Sequence, residues 1–277
     1  MRRLLLVITA LGALPVQAQS GPAFEVISVK TTKTDDMRRF GMQFLPGGRF
    51  VATNCPLILM VATAYNVPFQ SSRLTGGPDW IRSARFDVEA TASKSSISPS
   101  SSAKGRADQL RLMLQSLLAD RFELTIHRET KEAPLYAIIV GKNGPKLEKA
   151  AITEKDCPDG AVTNGVSCHT FGGGQGRGLH GQAVDMSDLA LYVANWTDHP
   201  VVDKTGLTGL FHIDTRPWIP LRPGPPPAAG AKGEDGSDLA DLPSLFGVFE
   251  QLGLKLEPQK GPIEFLTIEH SERPSEN

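Results

Sequence analysis

The same order of predicted elements occurs twice along this chain of 277 residues, and this repetition restricts the possible folds more than any other feature. In each half a hairpin is followed by a helix, a strand, a low-complexity segment, a second helix and two strands. Helices mixed with hairpin-connected strands are typical of the α+β class. We therefore predict two similar lobes, each a small and mostly antiparallel sheet with two helices, related by internal duplication.

Hydrophobic patterns place these elements in the first half. Residues 57–65 are apolar throughout, so periodicity alone allows a helix or a buried strand; Asn54 as a cap and Pro56 near the first turn favour a helix. Residues 93–105 are serine-rich and are predicted to be flexible. The other predicted elements are a strand at 24–29, a hairpin at 40–45 and 49–53, a strand at 84–92, a helix at 108–119, and strands at 122–126 and 135–140.

The second half shows the same succession. A helix over 188–196 has Asp185 or Ser187 as its cap. Segment 219–241 is rich in Pro, Gly, Ala and Asp, and it is predicted to be flexible at the position equivalent to 93–105. The other predicted elements are a hairpin at 166–171 and 179–184, a strand at 210–215, a helix at 244–251, and strands at 254–256 and 263–268.

Short sequence matches support the duplication. The matches are Thr75-Gly76 with Thr205-Gly206, Phe86-Asp87-Val88 with Phe211-His212-Ile213, and Phe122-Glu123-Leu124 with Leu254-Lys255-Leu256. Chance accounts for any single match, whereas the shared order of elements is harder to explain in that way. The alternative is a pair of unrelated α+β lobes.

The N-terminus predicts export. Arg2 and Arg3 precede the apolar run Leu4–Leu14, and the small-residue pattern of residues 16–18 follows, as in a secretory signal peptide. The apolar run is too short to span a bilayer; the alternative is a buried N-terminal helix. We predict cleavage after Ala18, no membrane insertion of the remaining chain, and a periplasmic or extracellular location.

Composition and charge then bound the mature chain. With residues 1–18 assigned to the signal peptide, the lobes comprise residues 19–150 and 151–277, the second either separate or packed with the first as one unit. Over the whole sequence, 29 Lys and Arg against 30 Asp and Glu give a formal net charge of −1. This balance lacks the basic excess typical of nucleic-acid binding, so no nucleic-acid partner is predicted.

The three cysteines predict one disulfide. Cys157 and Cys168 lie in a polar stretch, and in an oxidising compartment they can bridge across a short loop. Cys55 lies beside Pro56 and an apolar run, which predicts a buried free thiol, with intermolecular pairing as the alternative.

Motifs for catalysis or cofactors are weak. The glycine-rich run Phe171–Gly178 lacks the Lys-Ser or Lys-Thr of a phosphate loop and precedes a predicted strand; we interpret it as a hairpin loop, with an anion site at Arg177 as the alternative. No Gly-x-Ser-x-Gly occurs in the sequence. We predict no metal and no cofactor, since zinc-ligand spacing is absent from the set Cys157, Cys168, His169 and His180.

Two glycine-bearing turns supply the candidate ligand-binding residues. These are Asp79 and Trp80 in the first half, and Asp203 and Lys204 in the second. The simpler interpretation is that both are structural turns, in which glycine allows positive φ and the polar side chains cap the backbone. If the turns face one another across a pseudo-twofold axis, they border a cleft.

The stretches Pro200–Gly209 and Gln251–Leu256, together with residues 24–30, 76–81 and 120–130, resemble a large paralogous family of exported acidobacterial (Solibacter-type) proteins of unknown function. A similar module lies at the periplasmic end of some membrane metallopeptidases of the antibiotic-sensor type. This chain lacks the His-Glu-x-x-His motif of their peptidase. The resemblance implies export and supplies no catalytic residues.

Together these observations predict a non-enzymatic binding or sensing module of the cell envelope, with a protein, peptide or glycan as its partner. The alternative is a periplasmic hydrolase that no motif reveals. A deep pocket with converging titratable groups favours the hydrolase, whereas an exposed sheet edge or apolar patch favours binding.

Overall fold

Two long antiparallel strands run through both halves of the protein. They are β6 (Thr125–Val140) and β14 (Leu254–His270), which pair from Leu254 opposite Val140 to Ile268 opposite Ile126. The computed structural model describes residues 22–33, 40–69, 71–93, 95–97, 101–158, 162–163, 166–219 and 230–274. The predicted signal peptide and residues 220–229 of the predicted flexible segment 219–241 lie outside these residues.

The remaining elements lie on either side of this strand pair. The first half contains β1 (Val26–Thr31), β2 (Gly41–Leu45), β3 (Arg49–Pro56), α1 (Leu57–Ala64), β4 (Leu74–Gly76), α2 (Trp80–Ser83), β5 (Arg85–Thr91) and α3 (Ala103–Phe122). The second half contains β7 (Glu148–Lys149), β8 (Val162–Thr163), β9 (Val166–Ser167), β10 (Gly172–Gly174), β11 (Gly178–Val184), α4 (Met186–Val193), β12 (Val201–Asp203), β13 (Phe211–Asp214) and α5 (Leu245–Gln251).

Three four-stranded sheets organise these strands, as the α+β prediction requires. The first has the order β1-β5-β3-β2 and the second β10-β11-β13-β7, both antiparallel throughout. The central sheet has the order β12-β6-β14-β4, and its two short edge strands run parallel to their neighbours. A small β8-β9 pair completes the described strands.

The predicted break of each long strand into two is wrong. Residues 127–134, which separate the predicted strands 122–126 and 135–140, continue β6, and residues 127–132 form an exposed ribbon between the two cores. Charged side chains are tolerated on both faces there because neither face is buried. Residues 257–262 of β14 likewise continue their strand, although Pro258, Gly261 and Pro262 interrupt the apolar pattern.

Each long strand contributes to two hydrophobic cores. The first core, built mainly from residues 24–124, also contains Leu266 and Ile268 of β14. The second core contains Tyr136 and Ile138 of β6 together with residues from 179 onwards. The halves are thus joined by strand pairing and by shared core residues, with Phe50, Phe86 and Phe122 fully buried on one side and Trp218 and Phe249 on the other.

Helix starts follow local capping signals, with one correction. Asp185 caps α4 in a capping box with Asp188, and Ser244 accepts a hydrogen bond at the start of α5. Helix α1 confirms the preference for a helix at 57–65, but its N-cap is Pro56 and has no side-chain cap bond. Asn54 lies instead in β3, with positive φ, and its backbone N–H donates to Asp87.

Helix α3 is longer than predicted. It begins at Ala103, where the Ser102 hydroxyl accepts a hydrogen bond from the Gly105 backbone, so the last residues of the predicted flexible segment are helical. The glycine-rich run also differs in detail: the first strand of its hairpin is β10 (Gly172–Gly174), inside the run, and not residues 166–171. The interpretation as a hairpin loop is confirmed, because strand, turn and strand follow one another without a helix.

Strand registers correspond closely between the halves. In β3 and β5, Ala52 opposes Val88 and Cys55 opposes Phe86, which leaves a bulge between the pairs. In β11 and β13 the same bulge separates Gly181 opposite Ile213 from Val184 opposite Phe211. Each bulge lies immediately before a helix, α1 or α4.

The long strands follow the same correspondence. Their register is symmetric about the pair Glu132 and Pro262, so that Ile126 opposite Ile268 is matched by Leu256 opposite Ile138. Strand β4 pairs with residues 266–268 as β12 pairs with residues 136–138. This register aligns Gly76 with Asp203. The sequence match of Thr75-Gly76 to Thr205-Gly206 therefore differs by three residues from the alignment of the two strands in the structure.

The cysteine predictions are confirmed. Cys157 and Cys168 form a disulfide with a Cα–Cα distance of 5.7 Å. Cys55 is a fully buried free thiol, and burial raises its pKa to about 12. Among the described residues, none of the helices has the length and apolar character needed to cross a bilayer.

Candidate functional site

The first candidate pair, Asp79 and Trp80, lies at the start of α2. Asp79 is exposed and makes no side-chain cap bond to the helix. Trp80 is half-buried, packs edge-on against Phe86 at a centroid distance of 6.2 Å, and lies under the Arg273 guanidinium at 5.3 Å. The geometry therefore gives Trp80 a packing role at the rim of the first core.

The second candidate pair, Asp203 and Lys204, lies at the end of β12. The Asp203 carboxylate accepts hydrogen bonds from the backbone N–H and the hydroxyl of Thr205, both at 2.8 Å. Lys204 donates to the side-chain oxygen of Gln259 at 2.7 Å. Both side chains are exposed, and the Asp203 contacts are those of an Asx turn.

The two pairs do not meet across a cleft. Strands β4 and β12 are the opposite edges of the central sheet, and β6 and β14 lie between them. They also pair with the long strands about ten residues apart along the ribbon. From ordinary strand spacings the two turns are separated by roughly 35 Å. A single small ligand cannot contact both.

A cavity of about 740 Å³ lies elsewhere, between the first hairpin and α4. It is of the size of ordinary small-molecule sites. The first half contributes residues of β2, α1, the loop after α1, and α3; the second contributes the chain after the disulfide and α4. Its apolar surface includes Met42, Phe44 and Leu59 from the first half and Phe171, Leu191 and Tyr192 from the second.

Aromatic rings extend from the cavity wall into the second core. Phe171 stacks on Tyr192 at a centroid distance of 4.9 Å with an interplanar angle of 22°. Tyr192 contacts Trp196 at 4.8 Å, and Trp196 contacts the fully buried Trp218 at 5.4 Å. Burial raises the pKa of Tyr192, so its hydroxyl is neutral at physiological pH. These contacts pack the α4 side of the cavity against the second core.

An ionic cluster forms the rest of that wall. Nδ1 of His169 lies 2.7 Å from Asp188, and Nε2 lies 2.7 Å from Glu154. A neutral imidazole has one N–H, so both bonds can be donated only by the protonated ring. The hydrogen bond to Asp188 raises the pKa of His169 to about 9, against the opposing effect of burial and with further support from Glu154. His169 is a cation at neutral pH.

Lys104 extends the cluster to α3 of the first half. Its ammonium group lies 2.6 Å from Asp185 and 3.8 Å from Asp188, and it also contacts the Ser187 hydroxyl. Burial opposes ionisation of Asp185, but hydrogen bonds from Lys104, Ser187 and the Asp188 backbone lower its pKa to about 2. The cluster thereby links the two halves beside the cavity.

The alternative zinc set is not assembled as a metal site. Both sulfur atoms of Cys157 and Cys168 are used in the disulfide. His180 contacts Asp214 and the carbonyl of Arg177 on the exposed face of β11. His169, Asp185 and Asp188 bring their ligand atoms together, but the Lys104 ammonium already supplies the positive charge there.

Sequence reasoning missed the cavity residues. Phe44, Lys104 and Tyr192 belong to segments that are distant in sequence, and no periodicity relates them. Among these residues His169 has the clearest sequence signal, because it directly follows Cys168. Its positive φ of 54°, a conformation that is uncommon outside glycine, cannot be read from the sequence.

The fold and the cavity define an α+β protein in which one long strand pair runs through both halves and both halves line a cavity of ligand size. Residues 58–271 match the model of the family described as a protein of unknown function, DUF3738, and the chain belongs to this family. Among curated proteins and among solved structures, no significant match to the chain is found.

Proposed function

We propose that this protein is an exported, non-enzymatic binding protein of the cell envelope whose ligand occupies the cavity between the first hairpin and α4. The observation that carries the proposal is the cavity itself, about 740 Å³ in volume, with aromatic and aliphatic walls contributed by both halves. Concave and mostly apolar sites with a few polar groups are where proteins bind small molecules.

Titratable groups that converge beside a pocket also fit the alternative function, a periplasmic hydrolase. The protonation state of His169 distinguishes a catalytic base from a structural cation. A catalytic base needs a ring nitrogen free to take a proton from a nucleophile or from water. Both nitrogens of His169 are bonded to carboxylates, and its raised pKa keeps the ring protonated. The cluster therefore supports a structural wall of a binding site better than a catalytic dyad.

Export rests on two observations. The predicted signal peptide at residues 1–18 precedes the described chain, and the Cys157–Cys168 disulfide is the kind of bond that persists in oxidising compartments. Sequencing the N-terminus of the protein recovered outside the cytoplasm tests this part, with Gln19 as the expected first residue. Recovery of the intact Met1 terminus in a membrane pellet would contradict it.

Internal duplication is part of the same proposal, with residues 19–150 and 151–277 as the two copies. It is supported by the matched bulges before α1 and α4 and by the symmetric register of β6 and β14. The cavity then lies at a seam between copies. Superposing the two halves, with residues paired as these registers pair them, tests the proposal. Different strand orders in the superposed halves would refute it.

A matched pair of substitutions on α3 tests the binding site. Ala107 lines the cavity, whereas Leu112 on the same helix is exposed on the outer surface. We expect Ala107→Trp to project an indole ring into the cavity and to reduce retention of small molecules from an envelope extract, as measured by native mass spectrometry. Leu112→Trp should retain them. Equal retention by both variants with unchanged folding would overturn the proposal.

The turns containing Trp80 and Lys204 remain a separate proposal, as two distinct surface contacts for an envelope protein, peptide or glycan. Lys204 is exposed and its side chain bonds only Gln259 among its described polar contacts, so Lys204→Ala should leave the melting temperature unchanged. Weaker capture of a partner by this variant would support a contact there; unchanged capture would identify a structural turn.

A further inference from the structure

Strand β6 has a free edge between the two cores. Strand β12 pairs with residues 136–138, where the Tyr136 backbone N–H donates to Pro200, so the even-numbered residues of β6 direct their N–H and C=O groups to this edge. Within the part of the chain that the structure describes, no group bonds the outward backbone from Ile126 to Pro134. The free edge therefore ends where β12 begins.

The opposite edge of the strand pair, on β14, is different. There Pro258 and Pro262 occupy outward positions, and proline has no N–H to donate. On β6 the outward residues Arg128, Thr130 and Glu132 keep their N–H groups. A row of free donors and acceptors is a template for another strand. The β6 edge is therefore the one that can pair with a further strand.

The charges along the β6 edge are self-complementary. The exposed sequence there is Arg128-Glu129-Thr130-Lys131-Glu132. In an antiparallel pair of two such edges centred on Thr130, Arg128 lies opposite Glu132 of the second copy. In the same pair Glu129 lies opposite Lys131 on the other face of the sheet. Opposite charges directly across an antiparallel pair are stabilising, and a pair of facing threonines is also favourable.

The same charges select the register of the pair. If the centre moves by one residue, Glu129 or Lys131 lies opposite its own copy, and like charges that face each other are destabilising. The centre at Thr130 is also the midpoint of the free edge, so Ile126 lies opposite Pro134 and pairing stops before β12. Charge and geometry thus indicate the same arrangement.

We propose that the β6 edge is a dimer interface, in which the same edge of a second copy pairs antiparallel about Thr130. The interface is isologous, since each copy presents the same residues, and it closes after two copies. Charged residues commonly keep sheet edges apart, but here each charge meets its opposite. A contact confined to one strand edge is smaller than a standard interface, so the dimer is weak and concentration-dependent. The inference does not depend on the ligand of the cavity.

Sedimentation velocity of the disulfide-bonded mature protein, from about 1 µM to about 1 mM, measures the association. We expect a shift from monomer to dimer along this series. Thr130→Pro removes the central donor and leaves the bonds to β14 in place, so it should weaken the dimer at least about tenfold. Lys260→Pro, at an outward position of β14, is the matched control and should dimerise like the parent. Thermal melting shows whether both variants fold.

Charge reversal at Glu129 and Lys131 tests the complementarity directly. These side chains contact each other at 2.8 Å within one chain and are about half exposed, so reversing either charge should change stability little. Glu129→Lys and Lys131→Glu each place like charges opposite one another at both symmetric positions. Each variant alone should dimerise about tenfold more weakly than the parent. An equal mixture of the two variants restores opposite charges at both positions and should dimerise like the parent.

A cysteine at the centre of the edge reports the register. Residues that face each other in a hydrogen-bonded antiparallel pair have Cα atoms about 5.5 Å apart, which suits a disulfide. Thr130→Cys should therefore form a disulfide-linked dimer under mild oxidation. In Glu132→Cys the two cysteines would be four positions apart along the strands, roughly 13 Å, and this control should not cross-link.

Four outcomes would overturn the proposal. They are a parent protein that stays monomeric throughout the series, a dimer that persists unchanged in a folded Thr130→Pro, a mixture of the charge variants that associates no better than either alone, and cross-linking of Glu132→Cys without cross-linking of Thr130→Cys. If Thr130→Pro does not fold, the charge variants and their mixture decide.

Discussion

Nδ1 of His169 lies 2.7 Å from Oδ2 of Asp188, and the same carboxylate oxygen lies 2.9 Å from the backbone nitrogen of Asp185. One carboxylate thus closes the capping box of α4 and binds the histidine that follows the disulfide. The second ring nitrogen reaches Glu154, in the short 3-10 helix before Cys157. The His169 side chain therefore links the start of α4 to the short 3-10 helix before the disulfide.

This histidine gives the protein a pH-dependent stability. Its pKa is about 9 in the folded state against about 6.5 in the unfolded chain, so folding favours the protonated ring. The stabilisation, about 3 kcal/mol, is fully present below pH of about 6.5 and is lost as the pH rises through about 9. Urea unfolding between pH 6 and pH 10 measures this loss as the slope of the free energy of unfolding against pH. His169→Gln should remove most of this slope.

His180→Gln is the matched control for the pH experiment. His180 also contacts a carboxylate, that of Asp214, but both side chains are largely exposed. Exposed ion pairs contribute little to stability, so this variant should keep the slope of the parent. An unchanged slope in His169→Gln would show that the cluster does not carry the effect.

The disulfide should stabilise the fold through the loop that it closes. Cys157 and Cys168 are separated by 11 positions in sequence, and restriction of a loop of this length in the unfolded chain corresponds to about 3 kcal/mol. We expect Cys157→Ala/Cys168→Ala to lower the free energy of unfolding by about this amount. We also expect weaker ligand binding, because Cys168 and His169 line the cavity.

Denaturant unfolding with and without a reductant tests this prediction. The reductant should destabilise the parent and leave the double variant unchanged. Cys55→Ala, which removes the buried free thiol, should remain sensitive to the reductant. A parent protein that unfolds identically in both conditions would contradict the proposed contribution of the bridge.

Elements with local signals could be predicted from the sequence, whereas the long strands could not. Helix α4 follows from Asp185 and the apolar spacing after it, and the hairpin of β2 and β3 follows from its Pro-Gly-Gly turn. Residues 127–132 of β6 have no buried face, so the alternation that identifies a strand is missing there. Pairing with β14 keeps them extended, and that contact is not encoded locally.

The candidate site was less predictable for a topological reason. Asp79 and Trp80 in one half and Asp203 and Lys204 in the other belong to glycine-bearing turns, which would border one cleft if they faced each other across a pseudo-twofold axis. Strands β12 and β4 add to opposite edges of the central sheet, and this sidedness is decided by long-range pairing. The cavity likewise depends on the approach of the first hairpin to α4, for which neither segment has a sequence signal.

Two equivalent backbone positions should respond oppositely to substitution. Glu123 ends α3 with φ of 47°, and Gly253 follows α5 with φ of 69°. The left-handed conformation strains a residue with a Cβ atom, so Glu123→Gly should raise the free energy of unfolding by about 1 kcal/mol. Gly253→Ala should lower it by more than about 2 kcal/mol, because the new Cβ would lie 2.2 Å from the Gly144 carbonyl oxygen.

Chemical denaturation of the two variants beside the parent measures both effects. Glu123 lies 3.9 Å from His270, but both side chains are more than half exposed, so loss of this ion pair should not mask the gain. Glu123→Ala is the control, since it removes the charge and keeps the strain. Stabilisation of Glu123→Ala equal to that of Glu123→Gly would show that charge, and not backbone conformation, is responsible.

Prolines on β14 should protect an open sheet edge from self-association. On this edge the backbone N–H of Leu266 points away from β6 and donates to the Arg73 carbonyl. Every second N–H of the strand points the same way, so Pro258 and Pro262 also occupy outward positions, where proline has no N–H to donate. We expect Pro258→Thr/Pro262→Thr to restore two donors and to strengthen self-association at least about tenfold, measured by sedimentation velocity over a concentration series. Lys260→Thr, on the same edge, keeps both prolines and should sediment like the parent. A double variant that also sediments like the parent would show that the edge is protected by other means.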